Sequence, residues 1–580
     1  MSHHGWRALC NLLLPMRPIT GLRTDGLTGL RACGQVGLRA CGYRSAYMLA
    51  VAALIWTLAA ASARAENIIL VPIDSRPPGG QFAEMIAAMA DSKITIAPER
   101  YLGQFLTPGS PEAIMTWLES QDMSNVASLV VSTDMIAYGG LISSRINSIS
   151  ADKAINRLQR LARIRKKWPN LKIYGFSAVM RLAPTATRTS AAWRLLVSKH
   201  EELTDRYRTK PSAYLKKRIA SLKSRIPAGE IEGYRAARKR NHLVQRYLVT
   251  AAANGAFDYL LIGQDDASPY GPHKPETATL RNLVDKLGAH HRVLFCQGID
   301  QHAAILVSRS ILASQGWTPR VSVVFSDPAA ASKIAMYESK PLGASLKEQV
   351  VASGAVLAQN SQDSDYTLYI NTPKSRPETR QRFLKWLGQD IDRGLPVAVA
   401  DVNLGKDGTC DPALFETLYS NGRMMKVLAF AGWNSPGNTM GTTIPAANVY
   451  LMARRANIDP LKRETAQRAF LLHRFVNDYA YQTFTRPVAY NLLDSRYLMS
   501  REEVYGTTYS ELTDFVRRDL GKHLERYFRD QFQGRQFFAG TRSYVFTGLD
   551  EVSISLPWPR AYEVSLRFKM RAQETAVQGN

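Results

Sequence analysis

Short apolar runs alternate with amphipathic stretches over most of the chain after residue 66. The runs are continuous, as in NIILVPIDSRP, ASLVVSTDMIAYGG and FDYLLIGQDDASPYG, and each ends in acidic or polar residues. Continuous apolar runs are typical of strands that are covered on both faces of a parallel sheet. Stretches such as SPEAIMTWLESQ and KPETATLRNLVDKLG have the helical period. The alternation predicts an α/β fold, either as a barrel or as two doubly wound lobes.

Two regions depart from this rhythm and predict how the chain is organised. Residues 190–252 are mostly helical and basic, which predicts a helical insertion after a strand near Lys172–Val179. Residues 463–532 are again helical, and the final EVSISLPWPRAYEVSLRF alternates and contains two prolines, so antiparallel edge strands are expected. We therefore divide the chain into a first α/β region that includes the insertion, a second α/β region, and a helical region that ends in antiparallel strands: 66–330, 331–455 and 456–580.

The first 65 residues resemble an export leader. Arg44 precedes an apolar run from Ala46 to Ala60, and Ala63-Arg64-Ala65 follows, which is the order of a secretory signal. The run is shorter than the roughly 20 residues of a spanning helix. We expect cleavage after Ala65, a periplasmic or secreted protein, and membrane contact only through the signal segment before cleavage. The alternative is an uncleaved N-terminal anchor, and a start of translation at Met48 would shorten the leader.

The charge balance is strongly basic. The leader carries seven arginines and one aspartate, so its removal lowers the net charge from +25 to +19. Much of the excess lies between Arg157 and Arg246, where basic helices either present a solvated face or attract an anionic glycan, a cell-wall polymer or a membrane surface. No nucleic-acid partner is predicted, because the protein is expected to be exported and contains no recognised binding motif. No sequence feature defines an oligomeric state.

The remaining composition narrows the chemistry. Only Cys296 and Cys410 lie beyond the leader, and they form either one disulfide or two buried thiols. The chain has no zinc-type cysteine and histidine spacing, no dinucleotide fingerprint and no P-loop, so neither a metal nor a cofactor is assigned. It also lacks the G-x-S-x-G and H-E-x-x-H motifs of two common hydrolase classes.

Acidic and basic side chains follow several of the predicted strands. In parallel α/β sheets, ligands bind beyond the carboxyl ends of the strands, where the loops converge. The adjacent pair Asp265 and Asp266 is the strongest candidate, because two neighbouring carboxylates raise each other's pKa and a turn needs only one of them. Single acids at such positions also cap helices and build turns. The other candidates at strand ends are Asp74, Arg76, Glu99, Arg100, Asp134, Tyr138, Arg181, Asp300, His302, Asp401 and Asn403. Glu276 is a weaker candidate, because it also suits the first turn of a helix.

A glycine-rich stretch, FAGWNSPGNTMGT, provides a second candidate site. Trp433 offers a flat apolar face beside the amides of Asn434 and Asn438, a combination that suits the C–H faces and hydroxyls of a sugar ring. The structural alternative is a glycine-rich turn with a core tryptophan.

Several stretches together resemble a known bacterial family. They are VPIDSRPP, LTPGSPEAIMTWL, STDMIAYGGLISSR, QDDASPYGPHKPE, GWNSPGNTMGT, RFVNDYAYQTFTR and LPWPRAYEV, and the likeness runs from about Asn67 to Phe568. The family is known only as a domain of unknown function, so the resemblance implies relatedness and no reaction or cofactor. The family often has Gly-Ala-Asp-Glu where this chain has Gly298-Ile299-Asp300-Gln301, which argues against a catalytic role at position 301.

These features favour an exported hydrolase that acts on a carbohydrate or cell-envelope glycan. A glycosidase needs two carboxyl groups, and we expect Asp265 or Asp266 as one and Asp134 or Glu276 as the other. Substrate binding is assigned to seven residues: Asp74, Arg76, Tyr138, Arg181, Trp433, Asn434 and Asn438. One alternative is a metal-dependent hydrolase, in which Mg²⁺ or Ca²⁺ is bound by aspartates at strand ends: Asp74, Asp134, Asp265, Asp266 and Asp401. The other is a non-catalytic protein that binds a glycan or an anionic polymer.

Overall fold

Two parallel sheets with helices on their faces form the α/β part of the protein. The computed structural model describes residues 66–405 and 408–575, all of which belong to one compact unit. The predicted α/β fold is confirmed. The predicted leader, residues 1–65, lies outside the described residues, and the boundaries predicted at residues 330 and 455 stay predictions.

The first sheet has six parallel strands in the order β2-β1-β3-β4-β5-β6. Its strands are β1 (Asn67–Val71), β2 (Lys93–Ile96), β3 (Ser128–Ser132), β4 (Lys172–Val179), β5 (Tyr259–Gln264) and β6 (Val293–Gln297). Every residue of β3 and β5 is buried, as the continuous apolar runs predict for strands covered on both faces.

The second sheet repeats this topology. Its five parallel strands run in the order β11-β10-β9-β7-β8, so in both sheets the first strand lies between the second and the third. Its strands are β7 (Arg320–Phe325), β8 (Val356–Leu357), β9 (Tyr366–Asn371), β10 (Val397–Asp401) and β11 (Ala429–Ala431). Both sheets are open, so of the two predicted architectures the structure has the doubly wound lobes.

Helices connect the strands of both sheets. In the first lobe they are α1 (Gln81–Ala88), α2 (Pro111–Ser120), α3 (Thr133–Tyr138), α4 (Leu141–Ser144), α5 (Ala151–Lys167), α6 (Arg194–Thr209), α7 (Ala213–Lys223), α8 (Glu230–Ala253), α9 (His273–Leu287) and α10 (His302–Ser314). In the second they are α11 (Leu342–Ala352), α12 (Pro377–Asp392), α13 (Pro412–Tyr419) and α14 (Pro436–Arg455). Helices α6 to α8 follow β4, in the stretch that the sequence predicts as a helical insertion.

The C-terminal region is helical before it becomes a small antiparallel sheet. Its helices are α15 (Pro460–Arg474), α16 (Arg486–Asn491) and α17 (Gly506–Gln531), with π-helical turns at Phe475–Thr485 and Leu492–Arg496. The sheet consists of β12 (Gln536–Ala539), β13 (Arg542–Ser555) and β14 (Ser565–Glu574), in that order. The predicted antiparallel strands are confirmed, but Pro557 and Pro559 lie in the loop between β13 and β14.

One hydrophobic core extends from the first sheet to the second. It contains Leu70 and Leu261 of the first sheet, Leu368 of the second, and Ile305 and Met440 of the helices between them. A further core covers the outer face of the first sheet, and another joins the second sheet to the C-terminal region. Each fully buried aliphatic side chain contributes about 1.5–3 kcal/mol, so this shared core holds the two sheets together.

Close helix packing in the shared core requires glycine at position 441. A Cβ built there would lie 2.3 Å from Cγ of Gln301 and 2.6 Å from Oε1 of Gln349. The absence of a side chain on α14 therefore lets α10 and α11 approach it. In the part of the chain that the structure describes, no helix combines the length and apolarity needed to span a bilayer.

Candidate functional site

A cleft of about 330 Å³ lies at the carboxyl ends of the strands of the first sheet. Its lining is rich in charge, with six arginines and four acids: Arg76, Arg145, Arg181, Arg194, Arg501, Arg560, Asp265, Asp266, Asp300 and Glu502. Four aromatic side chains also line it: Tyr337, Tyr490, Trp558 and Tyr562. The strand-end rule thus locates the site, and the second sheet and the C-terminal region complete it.

The turn after β1 places Arg76 in the cleft. Asp74 accepts hydrogen bonds from the backbone N–H of Arg76 at 3.0 Å and from its Nη2 at 2.7 Å. The same Nη2 donates to Oδ1 of Asp300 at 2.8 Å, and the guanidinium stacks on Trp558 at 4.8 Å. Burial lowers the pKa of Arg76, but the charges of Asp300 and Asp74 outweigh it and hold that pKa well above its usual value. Asp74 therefore holds the side chain of Arg76 in place.

The loop after β5 carries the two adjacent aspartates. Oδ2 of Asp265 accepts from Nη2 of Arg145 at 2.6 Å, and its Oδ1 accepts from the backbone N–H of Asp266 at 2.8 Å. Asp266 forms an ion pair with Arg181. The backbone N–H of Leu182 donates to the carbonyl of Asp266, and this hydrogen bond keeps Arg181 beside the aspartate. These contacts tie the ends of β4 and β5 together.

The two aspartates have pKa values that move in opposite directions. Burial raises the pKa of Asp265, but the charges of Arg145 and Arg181 outweigh it and bring the pKa below its usual value. Burial also raises the pKa of Asp266. The charge of Arg181 opposes this rise, and the negative charge of Asp265 adds to it. The expectation that both values rise is therefore wrong for Asp265, because the sequence pattern does not reveal its buried guanidinium partner.

Asp300 brings a third carboxyl group to the cleft from the end of β6. Its turn begins at Gly298, whose φ of +79° favours glycine and where a Cβ would lie 2.6 Å from Nε2 of Gln301. Asp300 accepts from Arg76 and, at 3.2 Å, from Nδ2 of Asn434. Burial raises the pKa of Asp300, and Asp74 and Asp265 add to the rise while Arg76 opposes it. Gln301 itself is buried and donates to the carbonyl of Gln297.

Asn434 links the second sheet and the C-terminal loop to this carboxyl group. It follows β11 with a φ of +57°, a conformation that asparagine tolerates better than most residues. While its Nδ2 donates to Asp300, its Oδ1 accepts from the hydroxyl of Tyr562 at 3.0 Å. Three separate parts of the chain therefore meet at this amide.

Trp433 lines a narrower cavity of about 40 Å³ that adjoins the cleft. Its indole Nε1 donates to Oγ1 of Thr442 at 3.2 Å, and its ring packs edge-on against Phe82. Arg76, Asp300 and other residues line both spaces. The ring is mostly packed among neighbours, and its predicted role in sugar binding stays a prediction.

Asp134 and Tyr138 are buried on α3 and do not line the cleft. Oδ2 of Asp134 accepts from the backbone N–H of Ala178 at 2.9 Å, and burial raises the pKa of Asp134 to about 7. The ring of Tyr138 lies 4.3 Å from the guanidinium carbon of Arg240. Both side chains join α3 to neighbouring elements.

Glu276 and Asn438 also lie outside the lining of the cleft. Glu276 forms a two-pronged ion pair with Arg238 of the helical insertion, with distances of 2.8 and 2.6 Å. The backbone N–H of Asn438 donates to the capping hydroxyl of Ser435 at the start of α14. Of the eleven residues assigned to catalysis or substrate binding, the structure therefore brings five to the cleft lining: Arg76, Arg181, Asp265, Asp266 and Asn434. The strand-end candidate Asp300 also lines the cleft.

Comparison with known proteins places the chain in one family over nearly all its described length. The family model described as "Protein of unknown function (DUF4127)" matches residues 68–567. The chain belongs to this family. No curated protein sequence matches the chain at a significant level.

The stretches that carry the family resemblance supply much of the cleft. VPIDSRPP contributes Arg76, STDMIAYGGLISSR contributes Arg145, and QDDASPYGPHKPE contributes the aspartate pair. LPWPRAYEV contributes Trp558, Arg560 and Tyr562, which the strand pattern alone did not identify as site residues.

Trp558 is the centre of this C-terminal contribution. It is almost fully buried, its Nε1 donates to Oγ of Ser75 at 2.9 Å, and both Arg76 and Arg560 stack on its ring at 4.8 Å. It therefore holds two of the cleft arginines in place.

Two further observations concern the predicted chemistry. Cys296 and Cys410 are buried free thiols, which is the second of the two predicted states. Over residues 66–405 and 408–575, no group of three or more histidine, cysteine, aspartate or glutamate side chains is arranged to hold a metal ion.

Proposed function

We propose that the protein is an exported hydrolase that cleaves glycosidic bonds in a cell-envelope carbohydrate. The observation that carries this proposal is the convergence of Asp265, Asp266 and Asp300 on one cleft with pKa values shifted in different directions. Carboxyl groups whose pKa values differ in this way divide the roles of acid and base between them. Export rests on the signal-like leader sequence.

Asp266 is assigned as the proton donor to the leaving oxygen. Its side chain is 23% exposed, against 7% for Asp265 and 8% for Asp300, so it has the best access to substrate. Its raised pKa keeps a larger fraction protonated near neutral pH than an ordinary aspartate has.

Asp300 is assigned as the base, and Asp265 as a fixed negative charge that acts on both reacting groups. Asp300 comes from the neighbouring strand, and its raised pKa makes it a stronger base once ionised. Asp265 stays ionised beside Arg145, and its negative charge raises the pKa of both other carboxyls. That charge also suits the positive character of a glycosidic transition state.

The aromatic side chains of the cleft provide binding surface for sugar rings. Tyr337, Tyr490 and Tyr562 present apolar faces with hydroxyl groups, a combination that suits a ligand with both C–H faces and hydroxyls. The basic insertion is assigned a separate role, which is to attract an acidic polymer towards the cleft.

A second candidate is a glycan-binding protein without catalysis. The observation that favours it is that each cleft aspartate already pairs with a guanidinium: Asp265 with Arg145, Asp266 with Arg181, and Asp300 with Arg76. In such a protein these pairs would only shape a polar surface for hydroxyl groups.

Turnover assays with single-site variants separate the two functions. Purified protein is incubated with a panel of cell-envelope polysaccharides, and new reducing ends are measured by mass spectrometry. Asp266→Asn and Asp300→Asn should each lower turnover by about 10²-fold or more, since general acid–base catalysis contributes about 10²–10⁴-fold. Asp285→Asn, a side chain 60% exposed on α9, is the matched control and should retain activity.

Folding of each variant is checked by thermal unfolding before its rate is interpreted. Retained glycan without any new reducing ends supports the binding protein and contradicts hydrolysis. Full activity in folded Asp266→Asn would refute the assignment of its role.

A further inference from the structure

Three of the arginines that line the cleft form a group around Arg181: Arg145, Arg181 and Arg194. Arg145 follows α4, Arg181 follows β4 and Arg194 begins α6, so three separate elements supply them. Arg181 is the central member, because its charge affects the pKa of each of the other two. We call this set the arginine triad.

Two members of the arginine triad, Arg145 and Arg194, are electrostatically disfavoured in the cleft. The third, Arg181, keeps a raised pKa, because the charges of Asp266 and Asp265 outweigh its burial. Burial lowers the pKa of Arg145, and Arg181 lowers it further although Asp265 opposes the change. Burial likewise lowers the pKa of Arg194, with Glu502 opposing and Arg181 adding to the fall. Like charges repel more strongly in a partly desolvated cleft than in water, so an anion bound among the three cations would be stabilised.

Hydrogen-bonding capacity also remains within the arginine triad. Within the described part of the chain, Nε of Arg145 and Nε of Arg181 are buried without a hydrogen-bond partner, and the Arg145 side chain is only 6% exposed. The nearest carboxylate oxygen to Arg194, on Glu502, lies 4.0 Å away, which is beyond hydrogen-bond distance. Buried donors of this kind are normally satisfied, so both guanidinium groups keep unused hydrogen-bonding capacity next to the cleft.

The position of Arg194 has no advantage for its own helix. It is the first residue of a 16-residue helix, where the helix dipole is positive and an acid is the stabilising choice. The first turn of α6 contains no acid. The positive helix end and the Arg194 side chain together therefore add to the positive potential at the cleft.

We propose that the arginine triad binds an oxyanion carried by a sugar, so that the substrate is an acidic glycan. This inference rests on the proposed function and specifies its substrate class. A carboxylate, sulfate or phosphate group would fit, because the planar guanidinium presents paired N–H donors to each of them.

Binding of the oxyanion also affects the proposed proton donor. Arg181 pairs with Asp266 in the free protein. An oxyanion that shares Arg181 weakens this pairing and adds a negative charge nearby, and both effects favour the protonated form of Asp266. An acidic substrate therefore prepares the acid that the proposed mechanism requires.

The test compares oligosaccharides that differ only in charge. Fluorescently labelled protein is applied to an array that carries matched tetrasaccharides in neutral, carboxylated, sulfated and phosphorylated forms, and the strongest ligand is then titrated by calorimetry. Arg194→Gln is the test variant, because its ion pair is weak and its removal should leave the fold intact. Arg208→Gln, on the same helix and 63% exposed, removes the same charge outside the cleft.

Binding should be confined to charged members of the array, and the class that binds identifies the oxyanion. Arg194→Gln should weaken the best ligand about tenfold or more, while Arg208→Gln should change its affinity less than twofold. Equal binding of neutral and charged members, no binding to any charged member, or equal losses in both variants would overturn the proposal.

Release of products from the same tetrasaccharides is measured separately. Charged ligands that bind and are never cleaved would support the arginine triad and contradict hydrolysis. Cleavage without any preference for charge would support hydrolysis and contradict the binding role of the arginine triad.

Discussion

Removal of Arg145 should destabilise the protein through the carboxylate that it leaves behind. The side chains of Arg145 and Asp265 are 6% and 7% exposed, and 2.6 Å separates Nη2 from Oδ2. At an effective dielectric constant of about 20, two unit charges at this distance attract each other by roughly 6 kcal/mol. Part of this attraction offsets the desolvation of the two groups, and loss of one member of a buried pair costs about 3–5 kcal/mol. We expect that loss for Arg145→Met at about pH 7.

The loss of stability in Arg145→Met should depend on pH. The lowered pKa of Asp265 contributes stability that is present above the pKa of the unfolded chain and is lost as the pH falls through the folded value. Without Arg145, burial should raise the pKa of Asp265 instead, so its contribution changes sign and the variant should recover stability as the pH falls. Urea denaturation at about pH 7 and about pH 5 should therefore show a smaller difference from the parent protein at the lower pH.

Arg208→Met is the matched control, because it removes an arginine that is 63% exposed and paired with Asp205. Its loss should stay below about 1 kcal/mol. A cost below about 1 kcal/mol for Arg145→Met, or a cost that is the same at both pH values, would refute the buried-pair reasoning.

Three further predictions concern other parts of the molecule. Trp558→Ala should cost about 3–5 kcal/mol in thermal unfolding, because the ring is fully buried, and an unchanged midpoint would contradict its packing role. Burial raises the pKa of Asp401 to about 7, so this group lowers stability by about 3 kcal/mol as the pH rises from about 4 to about 7. Asp401→Asn should flatten that part of a stability-versus-pH curve, and an unaltered slope would count against this effect of burial. The triple variant Lys216→Gln, Lys217→Gln, Arg218→Gln removes three exposed charges from α7. It should raise KM for an acidic polymer at low salt and leave tetrasaccharide kinetics unchanged. Equal effects on both substrates would argue against electrostatic attraction of the polymer by the basic helices.

The arrangement of strands and the place of the cleft could be predicted from the sequence. Continuous apolar runs define the buried strands of both sheets, and polar residues after them mark the carboxyl ends. Asp265, Asp266 and Arg181 follow adjacent strands, so a rule about strand ends was sufficient to bring them together. Which architecture the strands form, a barrel or two lobes, depends on pairings between distant strands that local patterns do not encode.

The direction of individual side chains was less predictable. Asp134 also follows a strand, but α3 begins at Thr133, and the side chain of Asp134 meets the backbone N–H of Ala178 on the neighbouring strand. Glu276 pairs with Arg238, which belongs to the helical insertion and is remote in sequence. The strand-end rule predicts where a residue lies, but it does not predict which hydrogen-bond or ion-pair partner its side chain has.

The C-terminal contribution to the cleft was the most difficult to predict. Alternation and two prolines correctly indicate antiparallel strands, yet Trp558, Arg560 and Tyr562 lie in the loop between β13 and β14. The hydrogen bond from the Trp558 indole to Ser75 joins residues 483 positions apart. Contacts of this range depend on tertiary packing, and the one local signal was the LPWPRAYEV stretch itself.

The most direct test of the account is a crystal structure of Asp266→Asn with an acidic tetrasaccharide bound. The sugar should occupy the cleft of the first sheet, with a glycosidic oxygen within hydrogen-bond distance of the substituted side chain at position 266 and the oxyanion on the arginine triad. A glycan bound elsewhere, or one in the cleft with its oxyanion directed away from Arg181 and Arg194, would contradict it.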